Sequence, residues 1–129
     1  MYLLDTNICI ALSNQNPQAL AQFYAKFNNS YIPTIVLAEL YKGAYCSQKI
    51  EQNLQRLNEF SSRIIVVPFD KNASEEFGKI QAELRRIGRP TGEIDALIAA
   101  VARSRQDILV TNNIKHFENI PNLQLENWL

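Results

Sequence analysis

Histidine and tryptophan occur once each in these 129 residues, cysteine twice and glycine four times, and neither sign of charge is in excess. Each scarcity excludes something. The sole histidine, His116, has no serine or cysteine at a supporting spacing. A Ser/His/Asp or Cys/His hydrolase is therefore disfavoured, and His116 reads as a surface residue. Cys9 and Cys46 lack a metal-ligand spacing and sit among apolar neighbours, so they read as reduced, structural thiols rather than a disulfide or zinc site. Gly88 and Gly92 merely flank Pro90, so no phosphate-cradling glycine loop is present. The balance of 13 basic and 13 acidic residues argues against a generic basic nucleic-acid binder. No apolar run approaches the ~20 residues that cross a bilayer. The first residues lack a basic segment leading into a long apolar one, so a cytoplasmic protein is expected. Repeats, low-complexity tracts and linker-like stretches are also missing. A chain of this length is expected to form a single domain that buries about two-thirds of its unfolded surface.

What is present is alternation. Short apolar runs at Tyr2–Leu4, Tyr31–Pro33, Arg63–Val67, Ile108–Thr111 and Leu123–Glu126 read as strands separated by helical patterns. That order predicts an α/β domain with a parallel sheet. Helices are expected at Ile8–Ser13 and, behind Pro17, at Gln18–Phe27. Thr34 is placed to cap a helix through Ala44, with Val36, Leu37, Leu40, Tyr41 and Ala44 as its buried stripe. Ile50, Leu54, Leu57 and Phe60 form another stripe. Asn72 with Glu75 fits a capping box opening a helix that stops near Gly88, and Asp70 reads as a turn or cap residue before that helix. A last long helix carries Ile94, Leu97, Ile98 and Val101 on one face, with alanines that allow close approach to the sheet.

Three carboxylates fall where such a sheet places ligands, beyond the carboxyl ends of its strands. Asp5 directly follows the first strand, where it would also serve as a helix cap. Glu39 comes early in the helix after the second strand, where the simpler role is an i,i+3 pair with Lys42. Asp95 opens the alanine-rich helix, where a carboxylate also complements the helix dipole. Thr111-Asn112-Asn113 follows the fourth strand at the same edge. Three ionised carboxylates gathered at ~5 Å, with an effective dielectric near 20, repel by about 3 kcal/mol per pair. They need a cation or must take up protons. Oxygen ligands without His or Cys point to Mg²⁺ or Mn²⁺, and such sites serve phosphodiester hydrolysis. With those three set aside, ten acids face 13 basic groups, a mildly basic body suited to a polyanion. Arg85, Arg86, Arg89, Lys42 and Lys49 could guide such a polyanion or form ordinary solvated helix faces. A haloacid-dehalogenase-type phosphatase also uses an Asp after its first strand, but needs another two residues on, where this chain has Asn7.

The segments LLDTN at Leu3–Asn7, AEL at Ala38–Leu40, PFD at Pro68–Asp70, GEIDALIAA at Gly92–Ala100 and LVTNN at Leu109–Asn113 together resemble the PIN-domain ribonucleases. Within them the pattern is most similar to the VapC-type toxins of bacterial toxin–antitoxin pairs. The resemblance implies a PIN-like fold, a mostly parallel sheet of about five strands with helices on both faces. It implies a metal-dependent endoribonuclease that leaves 5′-phosphate and 3′-hydroxyl ends, with transfer RNA as the expected substrate. Asp5, Glu39 and Asp95 match the acids that hold Mg²⁺ or Mn²⁺, Thr111 the threonine beside the metal, and Asn7 the asparagine after the first acid. At Asn113 many relatives carry a fourth acid, so a second metal is less securely held here, with Glu93 a conceivable substitute. A homodimer, a cognate VapB-type antitoxin, and DNA binding only through that antitoxin are the implied partners. The alternative is a catalytically silent PIN-like module that acts as a component of a DNA-bound repressor complex.

Overall fold

The computed structural model describes all residues from Met1 to Leu129. Strand β1 (Tyr2–Leu4) leads into helices α1 (Thr6–Ser13) and α2 (Pro17–Ala25), then β2 (Ser30–Pro33). Helices α3 (Thr34–Tyr45) and α4 (Ile50–Arg63) precede β3 (Ile65–Val67), and α5 (Lys71–Arg86) and α6 (Glu93–Arg105) precede β4 (Ile108–Val110). A short helix α7 (Ile114–Phe117) and strand β5 (Gln124–Glu126) complete the order. None of the helices is long and apolar enough to cross a membrane.

The five strands pair in parallel in the order β3-β2-β1-β4-β5. The chain therefore steps outward from β1 to β3, then crosses back to β4 on the other side of β1. Because parallel crossovers are right-handed, reversing the direction of travel puts the later helices on the opposite face of the sheet. Most helix contacts follow that division, with α1 against α2 and α3, α3 against α4, and α5 against α6, while α3 also meets α6 across it. The reversal also parts the loops that leave β1 and β4, opening a crevice at the carboxyl edge between them.

β1 lies at the sheet's centre, and its Leu3 and Leu4, with Tyr31, Ile32, Leu109 and Val110 from its neighbours, have no solvent exposure. On α6, Ala96, Ala99, Ala100 and Ala102 are equally enclosed beside Ile98. Their small side chains let α6 approach its neighbours without leaving voids. Ile94, expected on the buried face, is instead 44% exposed beside the start of the helix. Arg103 fastens α6 to α5, donating to Glu76 across 2.6 Å and to Glu83 across 2.7 Å. At the opposite edge from the crevice, buried Asp107 accepts hydrogen bonds from the Tyr31 hydroxyl, Arg105 Nε and the terminal ammonium of Met1.

Several ends differ from the sequence reading. Pro33, not Thr34, is the residue before α3, and the Thr34 hydroxyl instead accepts the Phe69 N–H. Asp70 caps α5 by accepting the Ala73 N–H, so the capping box of Asn72 and Glu75 does not form. Helix α4 continues to Arg63, which shortens β3 to three residues. Cys46 is exposed just beyond α3, whereas Cys9 is buried as expected. Gly88 does end α5: at φ +64° it lets its own N–H reach Arg85 O and the Arg89 N–H reach Leu84 O. That paired closure favours glycine because a left-handed backbone crowds any Cβ.

Candidate active site

Asp5 occupies the floor of the crevice. Its backbone N–H continues the β1–β4 pairing by donating to Val110 O, and its carbonyl accepts the first N–H groups of α1. The carboxylate is divided between two tasks. Oδ1 accepts the Thr6 N–H at 2.7 Å, as a helix cap does, while Oδ2 accepts the Thr111 hydroxyl at 2.8 Å. Capping and site roles thus coexist in one side chain that is only 4% exposed.

Thr111, fully enclosed immediately after β4, also accepts the Asn113 N–H through its hydroxyl at 2.9 Å. The hydroxyl is thereby held with its proton toward Asp5. Glu39, in the second turn of α3, points back over the same edge, and its Oε1 accepts the Thr6 hydroxyl at 2.6 Å. The simple pair with Lys42 does not form; Lys42 is exposed. Thr6 therefore touches both acids, one through its backbone and one through its side chain. Asp95, near the start of α6, is about a quarter exposed, and its Oδ2 lies 3.1 Å from His116 Nδ1.

Electrostatics join what hydrogen bonds do not. Burial pushes the Asp5 carboxyl above its ordinary range, the hydrogen bonds from Thr111 and Thr6 oppose this, and the charges of Asp95 and Glu39 push it further up. An acid so placed prefers either a proton or a cation. No three His, Cys, Asp or Glu side chains stand close enough together in this structure to hold a metal ion as a group. Magnesium does not require one: it binds through one or two carboxylates and keeps water or substrate phosphate as its other ligands. The donor set, oxygen only and anionic, fits Mg²⁺ or Mn²⁺.

The arrangement thus brings Asp5, Thr111 and Asn113 together directly and Glu39 through Thr6, with Asp95 coupled to Asp5 by charge. Glu93 is exposed in the first turn of α6 and makes no ion pair, and Asn7 is half-buried on α1. Sequence reasoning missed Thr6, whereas His116 is exposed as expected and only its contact with Asp95 went unseen. Thr6 was visible inside LLDTN, where a hydroxyl beside the first acid is available to a second. His116 carried no local signal, because its contact with Asp95 depends on how α7 meets the loop before α6.

The PIN domain family model matches residues 2–123, and the chain belongs to that family. Within it the chain groups with the VapC proteins. It is 43% identical to "Ribonuclease VapC2" of Rickettsia felis over 99% of this chain and 98% of that protein. It is 42% identical to the "tRNA(fMet)-specific endonuclease VapC" of Shigella flexneri, over 98% of this chain and 97% of the relative. Among solved structures, VapBC2 from Rickettsia felis bound to a DNA fragment from their promoter superposes with a TM-score of 0.93 at 40% identity, covering 99% and 98% of the two chains.

Proposed function

We propose that this chain is the toxin of a toxin–antitoxin pair, an endoribonuclease that depends on Mg²⁺ or Mn²⁺ and hydrolyses phosphodiester bonds in transfer RNA. One observation carries the reading: a buried Asp5, pressed by the charges of Glu39 and Asp95, at the crevice of a chain over 40% identical to VapC ribonucleases. The tRNA(fMet) endonuclease among those relatives makes tRNA(fMet) the substrate to try first. The neighbouring VapBC2–DNA complex supports a VapB-type antitoxin as partner, with DNA reached through it. We assign the chain as one domain that acts in the cytoplasm as a homodimer.

Asp5, Glu39 and Asp95 would hold the metal, which when bound supplies Lewis acidity and a more acidic water. The protein contributes fixed geometry. Thr111 and the Thr6 N–H prevent Asp5 from turning, and the Thr6 hydroxyl keeps Glu39 over the crevice. The same carboxylates offer proton acceptors to a water attacking phosphorus. Asp5 and Glu39, preorganised in this way, need little rearrangement as charge builds on the phosphate, whereas Asp95 would leave its contact with His116 to join them.

The purified chain should cut tRNA(fMet) when Mn²⁺ or Mg²⁺ is added, and Asp5→Asn and Asp95→Asn should each abolish the cut while retaining the native circular dichroism spectrum. Metal-dependent cutting that survives both substitutions would falsify the assignment. One feature favours a second reading, a silent module in a DNA-bound complex: Asn113 supplies no charge where many relatives carry an acid. The same assay separates the two, since a silent module leaves every RNA intact.

A further inference from the structure

Beside Asp95, and without Asp5 in its lining, lies an open cavity of about 380 Å³. Its walls come from the loop between α5 and α6 and from α7 with the turn after it. Arg89 and Thr91 stand on one side, Lys115, His116 and Asn119 on the other, and Asp95 at the margin. The two walls are fastened together, because the Thr91 hydroxyl donates to His116 O across 2.8 Å. His116 Nδ1, 3.1 Å from Asp95, links the cavity to the candidate active site.

Charge gives the cavity its chemistry. Neither Arg89 nor Lys115 takes part in any of the chain's ion pairs, so two unpaired cations face one concave space whose single carboxylate, Asp95, lies against His116. Asn119 adds an amide donor for an oxyanion, and the Thr91 oxygen, whose proton goes to His116 O, can accept from a sugar hydroxyl. An anion with several acceptor oxygens matches this set, and an extended polyanion that also reaches Asp95 matches its position.

We propose that this cavity is a subsite for an RNA backbone phosphate next to the one being cut, with Arg89 and Lys115 as its phosphate-binding residues. The assignment rests on the ribonuclease reading. A phosphate seated here fixes the strand on one side of Asp95 and so selects which neighbouring linkage lies over Asp5 and Glu39.

The test uses the full chain in an Asp5→Asn background, so that labelled tRNA(fMet) transcript remains whole during fluorescence anisotropy titrations. Arg89→Ala/Lys115→Ala should reduce the slope of log K against log salt by about 1 to 2, the loss of one or two phosphate contacts. With Asp5 intact, the same pair should raise KM for cleavage about tenfold. The charge-retaining pair Arg89→Lys/Lys115→Arg should restore the slope, which a merely misfolded variant would not do. Arg56→Ala/Arg63→Ala, on α4 far across the sheet, should leave slope and KM as they were. An unchanged slope in the first pair overturns the subsite, as does an equal loss in the α4 pair. So does a variant that loses a protein partner while its RNA slope persists. If the unsubstituted chain neither binds nor cuts RNA, the ribonuclease reading itself fails. If it cuts RNA and the first pair behaves like it, only the subsite fails.

Discussion

The Thr111 hydroxyl donates to Asp5 Oδ2 across 2.8 Å, joining residues 106 positions apart in the chain. Each follows one of two adjacent strands, so the bond bridges the crevice where the sheet's winding reverses. Removing it isolates its purpose. Thr111→Val keeps the shape but leaves Asp5 short of a donor and the Asn113 N–H without its acceptor. Such losses cost about 1–3 kcal/mol. Loss of a supporting hydrogen bond at a metal site lowers activity about 10–100-fold. Thr111→Ser should recover most of the rate, and thermal melting with cleavage kinetics on both variants would separate the effects.

Thr6 should prove a positioning residue for Glu39. Thr6→Val removes the 2.6 Å bond to Glu39 Oε1 while preserving the backbone donor to Asp5. Cleavage should fall about tenfold with a higher Mn²⁺ requirement, and Thr6→Ser should behave as the natural chain. A metal titration of the cleavage rate decides this; identical curves for Thr6→Val and the natural protein would remove Thr6 from the site.

Metal addition should stabilise the fold through the same acids. At a hundredfold excess over its dissociation constant, a ligand bound only by the folded state adds about 2.7 kcal/mol. Mn²⁺ should therefore raise the melting temperature of the natural chain, and the rise should vanish with chelator and in Asp5→Asn. Differential scanning calorimetry with and without chelator reads it directly.

Far from the crevice, Asp107 should govern part of the acid sensitivity. Burial works to raise its carboxyl, but hydrogen bonds from Tyr31, the terminal ammonium and Arg105 outweigh burial and hold it below the ordinary 3.8. A carboxyl lowered in the folded state adds stability above its unfolded value, and that stability is lost as pH falls through the folded one. Asp107→Asn should melt earlier than the natural chain at pH 7. The gap should narrow only below about pH 4, as protonation removes the natural chain's advantage. A gap constant down to pH 2 would exclude Asp107 as the cause.

The legible and illegible parts of this protein divide by the range of the forces involved. The positions of Asp5 just after β1, Glu39 early in α3 and Asp95 in the first turn of α6 were legible because strand ends and helix starts leave local patterns. The expected parallel strands were recovered to within a few residues, since runs such as Ile108–Val110 mark burial on both faces. Asp70 was legible as a turn or cap residue before α5, but the capping box of Asn72 and Glu75 was not excluded by sequence, because Asp and Asn are both good capping residues. Cys46 has apolar and aromatic neighbours in sequence, yet it follows the last turn of α3 and faces outward. Strand order and the contact of His116 with Asp95 join distant segments, and no local periodicity encodes them.

The reversal of winding at β1 also sets when a working site can exist. A chain made only as far as Arg105 already contains Asp5, Glu39 and Asp95. It lacks the Val110 carbonyl that anchors the Asp5 backbone and the Thr111 hydroxyl that holds its carboxylate. Every acid is then present without the strand that gives the first one its place. A fragment emerging from a ribosome therefore lacks both supports of Asp5 until β4 and Thr111 have been made, so the last quarter of the chain completes the setting of its fifth residue.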